Sequence, residues 1–277
     1  MKNNGQIVLV PAGGLANRMR SIASVYAMAQ KVKSKLQIIW FRDKGLNAYF
    51  HKIFETERLP IREARFLDYI LYDRPRPKNL YFQKIPQSII FEQRLYEQEI
   101  KPLKLQGFNF YEWAKESNCY MGNYMDFGEF PNSLYHELFH PVKEIRDATL
   151  QFLSNFSEHT IGMHIRRTDL TLAIEKSPTF LFSKKIEEEI DLHQDTKIFL
   201  ATDSEDVKFE LRQKFGNRII SFTEEANRNT LQGIRDGLTD MYTLAKTKKI
   251  YGSKGSTFSV MAANLGENDL EILESPI

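Results

Sequence analysis

QIVLVPAGGLANRMRSIASVYAMAQKVKSKLQIIWF, residues 6–41, reads as strand, turn, helix and strand. Residues 6–10 are an apolar, β-branched run of strand length, and residues 11–14, PAGG, form a turn. Residues 17–33 set Ile22, Val25, Ala29 and Val32 on one stripe of a helix, and residues 36–41 supply a second strand. A β-turn-α-β opening is the start of a doubly wound parallel sheet, so the fold class is α/β.

The pattern weakens over residues 59–110, where Pro75, Pro77, Pro86 and Pro102 interrupt any long element. This stretch reads as loops and short helices packed over the first sheet, its aromatics forming a satellite core. From residue 139 the alternation resumes. Helices are expected at 142–155, 183–192, 204–215 and 230–247, the third stopping at Gly216 and the fourth carrying Leu231, Ile234, Leu238, Met241 and Ala245 on its apolar face. Strands are expected at 160–166, 197–201, 218–222 and, last, 249–252, before a closing helix at 256–265. The organisation is two Rossmann-like domains facing a cleft, residues 1–138 and 139–277.

At 277 residues each half is large enough for its own core. The balance of 38 basic against 36 acidic residues gives no electrostatic footprint for nucleic acid. Cys119 is alone and the 6 histidines are scattered, which argues against a disulfide framework and a zinc enzyme. No apolar run reaches the roughly 18 residues of a membrane helix, and the opening strand is too short for a signal sequence. A metal-independent cytoplasmic protein, peripheral to a membrane if its substrate is carried there, fits these limits.

Three polar clusters fall at strand ends, where open α/β sheets bind ligands. The first is HIRRTD, residues 164–169. Side chains alternate along a strand, so His164 and Arg166 point one way and Arg167 the other. The arginine fork pairs with phosphate or carboxylate in a bidentate way, which makes this an anion site. The alternative is a structural network in which both arginines pair with Asp169 and nearby acids. The second is Asp203 after IFLAT, either a ligand group or, with Ser204, a helix cap. The third is GSKGSTFS, residues 252–259, whose amides and hydroxyls open a helix and suit phosphate, although Ser256 is also an ordinary cap. In the first turn, PAGGLANR lacks GxGxxG and GK[ST], which excludes a dinucleotide fingerprint and a P-loop. Gly13 and Gly14 serve the turn there, and Asn17 is the polar group at the cleft mouth.

Taken in order, GGLANRMRS, GNYMDFGEF (122–130), HIRRTD and DMYTLAKTKKIYGSKGSTFSVMAA (240–263) resemble the fucosyltransferase superfamily. Its α-1,2 branch has GGLGNQMFQ, a G-Y-F-Q-S-x-K-Y-F-like segment, HxRRxDY and a late segment ending N-S-T-F-S-W-W. Ser256, Thr257, Phe258 and Ser259 match it directly. The α-1,6 and nodulation-type branches share HxRRTD, including Thr168. The resemblance implies a GT-B-type fold and an inverting, metal-independent transfer of L-fucose from GDP-fucose to a glycan hydroxyl, without a separate cofactor. It also implies that Arg166 holds the pyrophosphate with Ser256, Thr257 and Phe258, that His164 and Asp203 shape the nucleotide site, and that Gly14 and Asn17 are donor-binding, Asn17 facing the sugar or acceptor. Arg18, Arg20, Leu170, Val260 and Met261 depart from the α-1,2 pattern, on the acceptor side.

Independently of the resemblance, a departing sugar diphosphate is a polyanion that a fixed cation such as Arg166 stabilises. The acceptor hydroxyl needs a base. Glu175, one place beyond the glutamate of the α-1,6-like pattern, is the candidate, or else an exposed loop acid. Asp169 competes for the role but is expected to brace Arg167. Two alternatives stay open, another nucleotide sugar on the same fold and a non-catalytic nucleotide-sugar or glycan-binding module.

Overall fold

The computed structural model describes residues 5–55, 57–72, 83–115, 117–223, 227 and 229–275. The chain divides into two compact units, Met1–His140 and Pro141–Ile277. Among the described residues no helix is long and apolar enough to cross a membrane.

The first unit is built on β1 (Gln6–Pro11), α1 (Leu15–Val32) and β2 (Lys35–Trp40). Its proline-broken middle then supplies β3 (Ile61–Glu63), α2 (Lys84–Ile90), β4 (Gln93–Leu95), α3 (Glu97–Leu105) and α4 (Phe110–Ala114). After these come β5 (Asn118–Asn123) and α5 (Ser133–Leu138). The sheet runs β3-β2-β1-β5-β4, all parallel, with Val8 opposite Gln37 on one side and Tyr120 on the other. The middle therefore contributes two edge strands as well as loops and short helices. Pro86 lies within α2 and Pro102 within α3, whereas Pro75 and Pro77 fall outside the described residues, and no alternation can show over three residues. β5 pairs along the whole length of β1. A parallel strand buried on both faces shows no period of two, and NCYMGN lacks β-branched residues, so nothing in its composition marks it as a strand.

The second unit opens with α6 (Lys143–Leu153) and β6 (Thr160–Ile165). It continues through α7 (Thr171–Lys176), α8 (Thr179–Leu192), β7 (Lys197–Thr202), α9 (Glu205–Phe215) and β8 (Ile219–Ile220). It closes with α10 (Leu231–Leu244), β9 (Lys249–Ser253), α11 (Thr257–Gly266) and β10 (Asp269–Leu273). The order β10-β9-β6-β7-β8 is again all parallel. Every residue of β6 is buried, and Ile161, Met163 and Ile165 enter a core with Phe182, Ile186, Ile198 and Leu200. Gly162 is required by a close approach, because a Cβ there would meet Leu244 and Thr247 at 2.8 Å.

Four expectations for this unit are corrected. The strand at 249–252 is not the last and the helix at 256–265 does not close the chain, since β10 pairs with β9 afterwards. The helix expected from residue 183 begins at Thr179, after Pro178 has set its entry. The strand at 218–222 shortens to Ile219–Ile220, and α7 is an added turn of helix.

Candidate functional site

In the second sheet the strand order reverses between β6 and β9, the switch point at which doubly wound sheets bind ligands. A pocket of about 720 Å³, counted to its open mouth, lies at the C-terminal ends of β6 and β7. His164 and Arg166 line it, as do Thr202 and Asp203 and, from α11, Phe258. The His164 and Phe258 rings stack at 4.7 Å and 23°. Phe222, Lys208 of α9, and Asp236, Gly237 and Asp240 of α10 also line it.

The strand-alternation argument holds for the arginines. His164 and Arg166 reach the pocket, while the Arg167 guanidinium turns away, its Nη2 donating to the Ser177 carbonyl at 2.6 Å and to Thr179 Oγ1 at 3.1 Å. Burial lowers the pKa of Arg167, partly offset by Asp203 and Glu210. Arg167 is thus an internal brace between the HIRRTD turn and the start of α8. Asp169 does not brace it, which corrects the expectation from sequence. Asp169 instead accepts two bonds from Arg166, from Nε and Nη2, each at 2.8 Å. A three-residue spacing on a turn lets the carboxylate fold back onto Arg166, whereas Arg167, though closer in sequence, points to the opposite face.

Asp203 resolves differently from a cap. Its carboxylate accepts from the Arg167 N–H at 2.7 Å and from Thr168 Oγ1 at 2.7 Å, clasping the turn after β6 to the end of β7. Ser204 caps α9, its hydroxyl accepting from Val207 N–H. Ser253 Oγ accepts from the Arg166 N–H at 3.1 Å, so β9 holds the same turn from the other side.

At the start of α11, Gly255 takes φ +76°, a conformation that favours glycine, and leads into Ser256 at the helix N-terminus. Ser256 makes no side-chain cap bond, and its buried Oγ has no hydrogen-bond partner among the described residues. The ordinary-cap alternative therefore does not describe it. Ser256 and Thr257 sit beside Phe258 in sequence but do not themselves line the pocket. Neither does Glu175 on α7, which is exposed, nor Asp169.

Sequence reasoning missed Asp240. Its side chain is half-buried on the pocket wall, and its buried Oδ1 has no hydrogen-bond partner among the described residues. Burial raises its pKa well above the ordinary 3.8, Lys208 opposing and Asp236 adding to the rise. The signal was present in α10, which offers no Lys or Arg three or four residues from Asp240 to pair with it, only Asp236, Gly237, Thr243 and Leu244.

Gly14 and Asn17 belong to the first unit. Gly14 is the N-cap of α1, and Asn17, in its first turn, has a buried Oδ1 without a hydrogen-bond partner among the described residues. Gly13 takes φ +81°, and a Cβ there would come within 3.0 Å of Asn17 Nδ2. The departures at 18 and 20 support this turn. Arg18 is fully buried, donating to the carbonyls of Gly13 at 2.8 Å and Phe41 at 2.5 Å and pairing with Asp43 at 2.9 Å. Arg20 Nε donates to the Tyr124 carbonyl at 2.8 Å, which ties α1 to the segment after β5.

No protein-family model and no curated protein matches the sequence. Solved structures do. NodZ alpha-1,6-fucosyltransferase soaked with GDP-fucose is 19% identical with a TM-score of 0.64, covering 94% of this chain and 92% of that one. The same enzyme from Bradyrhizobium, with selenomethionine, gives 19% and 0.62 over 93% and 90%. A mutant of Arabidopsis thaliana FUT1 in complex with GDP gives 16% and 0.62 over 98% and 70%, and POFUT1 in complex with GDP gives 13% and 0.59 over 98% of both chains. At such identities a likeness of this extent is a likeness of architecture, and the two parallel α/β units of this chain have the GT-B fold of fucosyltransferases.

Proposed function

We propose that this protein transfers L-fucose from GDP-fucose to a glycan hydroxyl, with inversion and without a metal. The observation that carries the reading is Asp240, with its buried and unmatched Oδ1, at the wall of a pocket that also presents Arg166. Guanine offers N1–H and N2–H side by side, two parallel donors that one carboxylate accepts together. Adenine places a donor beside an acceptor on that edge, and uracil flanks its N3–H with carbonyls. A carboxyl kept in the wall without a partner for Oδ1 is costly to the empty protein, and such a cost points to a ligand that satisfies it. The fold supports the same donor, since structures that share it hold GDP-fucose or GDP.

The diphosphate is assigned to Arg166, to the open N-terminus of α11 and to the Ser256 hydroxyl, with Thr257 beside it. For the Arg166 fork to take phosphate it exchanges one anion, Asp169, for another. As the acceptor oxygen bonds to the anomeric carbon from the opposite side, the carbon–oxygen bond to the diphosphate breaks and its electron pair stays on the leaving oxygen. Arg166 stabilises that growing charge, the part a metal plays elsewhere. Asp203 and Ser253 act through the backbone, fixing the turn that aims Arg166, while His164 and Phe258 present flat faces to the nucleoside. Gly14 and Asn17 are assigned to the sugar and acceptor side, in a first domain that handles the acceptor while the second binds the donor. The lone buried Cys119 needs no oxidising compartment, which supports a cytoplasmic location.

Glu175 and Asp169 remain the candidate bases. One observation favours a second reading, a non-catalytic nucleotide-sugar-binding module, because neither carboxylate lines the pocket. Two measurements decide. GDP is expected to raise the melting temperature more than ADP or UDP at equal concentration, by the ~2.7 kcal/mol of stabilisation that a ligand supplies at 100 times its Kd. Equal shifts, or none for GDP, end the donor assignment. Release of GDP from GDP-fucose in the presence of glycan acceptors and excess EDTA then separates the enzyme from the binding module. Loss of that turnover on chelation, restored by Mg²⁺, overturns the arginine-based mechanism.

A further inference from the structure

Lys208 is a second group of the same wall that the chemistry above does not use. It lies in the first turns of α9 with 4% of its surface exposed, and its ammonium donates to Glu205 Oε1 at 2.6 Å. One of the ammonium's three donors is thus used by Glu205, whose side chain is about half exposed at 46%. Lys208 lines the pocket together with Asp240, and the two lie close enough for the ammonium to act on the Asp240 carboxyl. The wall therefore carries an acceptor and a donor near one another.

We infer that Lys208 is a specificity-determining residue that donates to O6 of the guanine whose N1–H and N2–H are held by Asp240. The inference rests on the proposed GDP site and goes further, since it names the group that reads the 6-position. Guanine presents acceptor O6 next to donors N1–H and N2–H, the complement of a Lys–Asp pair. A purine with an amino group at position 6 turns a donor toward the ammonium and leaves both unmatched, so rejection comes from an unpaired buried donor as well as from a lost bond. Arg166 and the α11 N-terminus already account for the phosphates, which leaves Lys208 to the base.

The test is calorimetric titration of the full chain with GDP, with IDP, which lacks only the 2-amino group, and with the 5′-diphosphate of 2,6-diaminopurine riboside, which carries a 6-amino group in place of O6 and no proton on N1. Wild type is expected to prefer GDP over the diaminopurine nucleotide by more than the roughly 10- to 100-fold of one hydrogen bond to a charged group, since both Lys208 and Asp240 lose a partner. Lys208→Met is expected to lower GDP affinity by about 10- to 100-fold and to shrink that preference by a similar factor, leaving the part that Asp240 sets through N1–H, while the GDP-to-IDP ratio, set by Asp240, stays as in wild type. Glu205→Gln keeps the ammonium and is expected to keep the preference. Should Lys208→Met fold poorly, Lys208→Gln serves, because an amide can turn either its donor or its acceptor to position 6 and is expected to shrink the same ratio. Equal weakening of GDP and the diaminopurine nucleotide, or an unchanged ratio, in a folded Lys208 variant overturns the inference while the GDP site stands. Failure of wild type to bind GDP overturns both.

Discussion

Replacing Asp240 separates what the pocket needs from what the fold needs. In Asp240→Asn one carboxylate oxygen becomes an NH₂ group, so one of the two guanine donors meets a donor. A hydrogen bond to a charged group contributes about 1.5–3 kcal/mol. Loss of one such bond, with the other reduced to a neutral acceptor, makes the expected cost about 2–4 kcal/mol, or roughly 30- to 1000-fold in GDP affinity. Stability moves the other way. Asp240 Oδ1 is buried and unmatched among the described residues, and an unsatisfied buried polar group costs about 1–3 kcal/mol. Asp240→Leu, apolar and of similar shape, is expected to melt several degrees higher without nucleotide, at about 2–4 °C per kcal/mol for a domain of 150–250 residues. The pH dependence fixes the sign independently. Burial raises the folded-state pKa above the unfolded 3.8, so the folded protein holds a proton that the unfolded chain releases. The associated stability is fully present below about pH 3.8 and is lost as pH rises toward the folded pKa. Binding of guanine to the ionised carboxylate releases the proton, so GDP affinity is expected to rise over the same window. Thermal melts and GDP titrations at a series of pH values, on wild type and both variants, measure all of this. Wild-type GDP affinity in Asp240→Asn, or a lower melting temperature in Asp240→Leu, refutes the argument.

Arg166→Ala is expected to weaken GDP binding and nearly abolish transfer, and Arg166→Lys to recover only part, since an ammonium lacks the planar fork; unchanged GDP affinity in the alanine variant, read by calorimetry, moves the anion site elsewhere. Glu175→Gln is expected to leave GDP affinity intact and to lower turnover by about 10²- to 10⁴-fold if Glu175 is the base, and full activity returns it to an exposed acid of α7. A Cβ built on Gly237 meets nothing within 4 Å, so Gly237→Leu is expected to fill pocket space and weaken GDP binding with the melting temperature held, and a variant that binds GDP normally would show that the base lies away from α10. Cys119 is buried and its thiol is pushed up to about 12, chiefly by burial and further by Glu92, so reaction with a disulfide reagent at pH 8 is expected to appear only with unfolding; prompt labelling of the native chain would contradict this.

The parts of the fold that sequence showed are those whose pattern is local. In α1 and α10 the apolar stripes repeat at helical spacing, β6 is an apolar run before charges, and the opposite directions of Arg166 and Arg167 follow from the alternation of a strand. The parts it hid depend on distant partners. β5 is a strand because β1 and β4 pair with it, β10 because β9 does, and three-residue edges such as β3 have no period to detect. At the site the same division holds. HIRRTD and GSTFS were legible because arginines and glycine–hydroxyl clusters are conspicuous at strand ends. Asp240 and Lys208 were not, because a carboxylate and an ammonium inside surface helices look like solvated charge until α10 and α9 are packed against β7.

That packing explains why the pocket lies in this place. With β9 on one side of β6 and β7 on the other, consecutive connections leave the sheet in opposite directions at the β6–β9 boundary, and the turns there cannot close over the strand ends. The HIRRTD turn is held open from both flanks, by Asp203 at the end of β7 through the Arg167 and Thr168 donors and by Ser253 at the end of β9 through the Arg166 N–H. Residues nearly 90 apart in the chain thereby meet at one backbone turn. The sheet order creates the crevice and three hydrogen bonds fix the turn, while the Arg166 guanidinium is paired, among the described residues, with the exposed Asp169 carboxylate, which an incoming anion can replace. Such an exchange requires no rearrangement of the strands, so nucleotide binding is expected to shift amide signals of the HIRRTD turn and the start of α11 while leaving those of β6 and β7 in place.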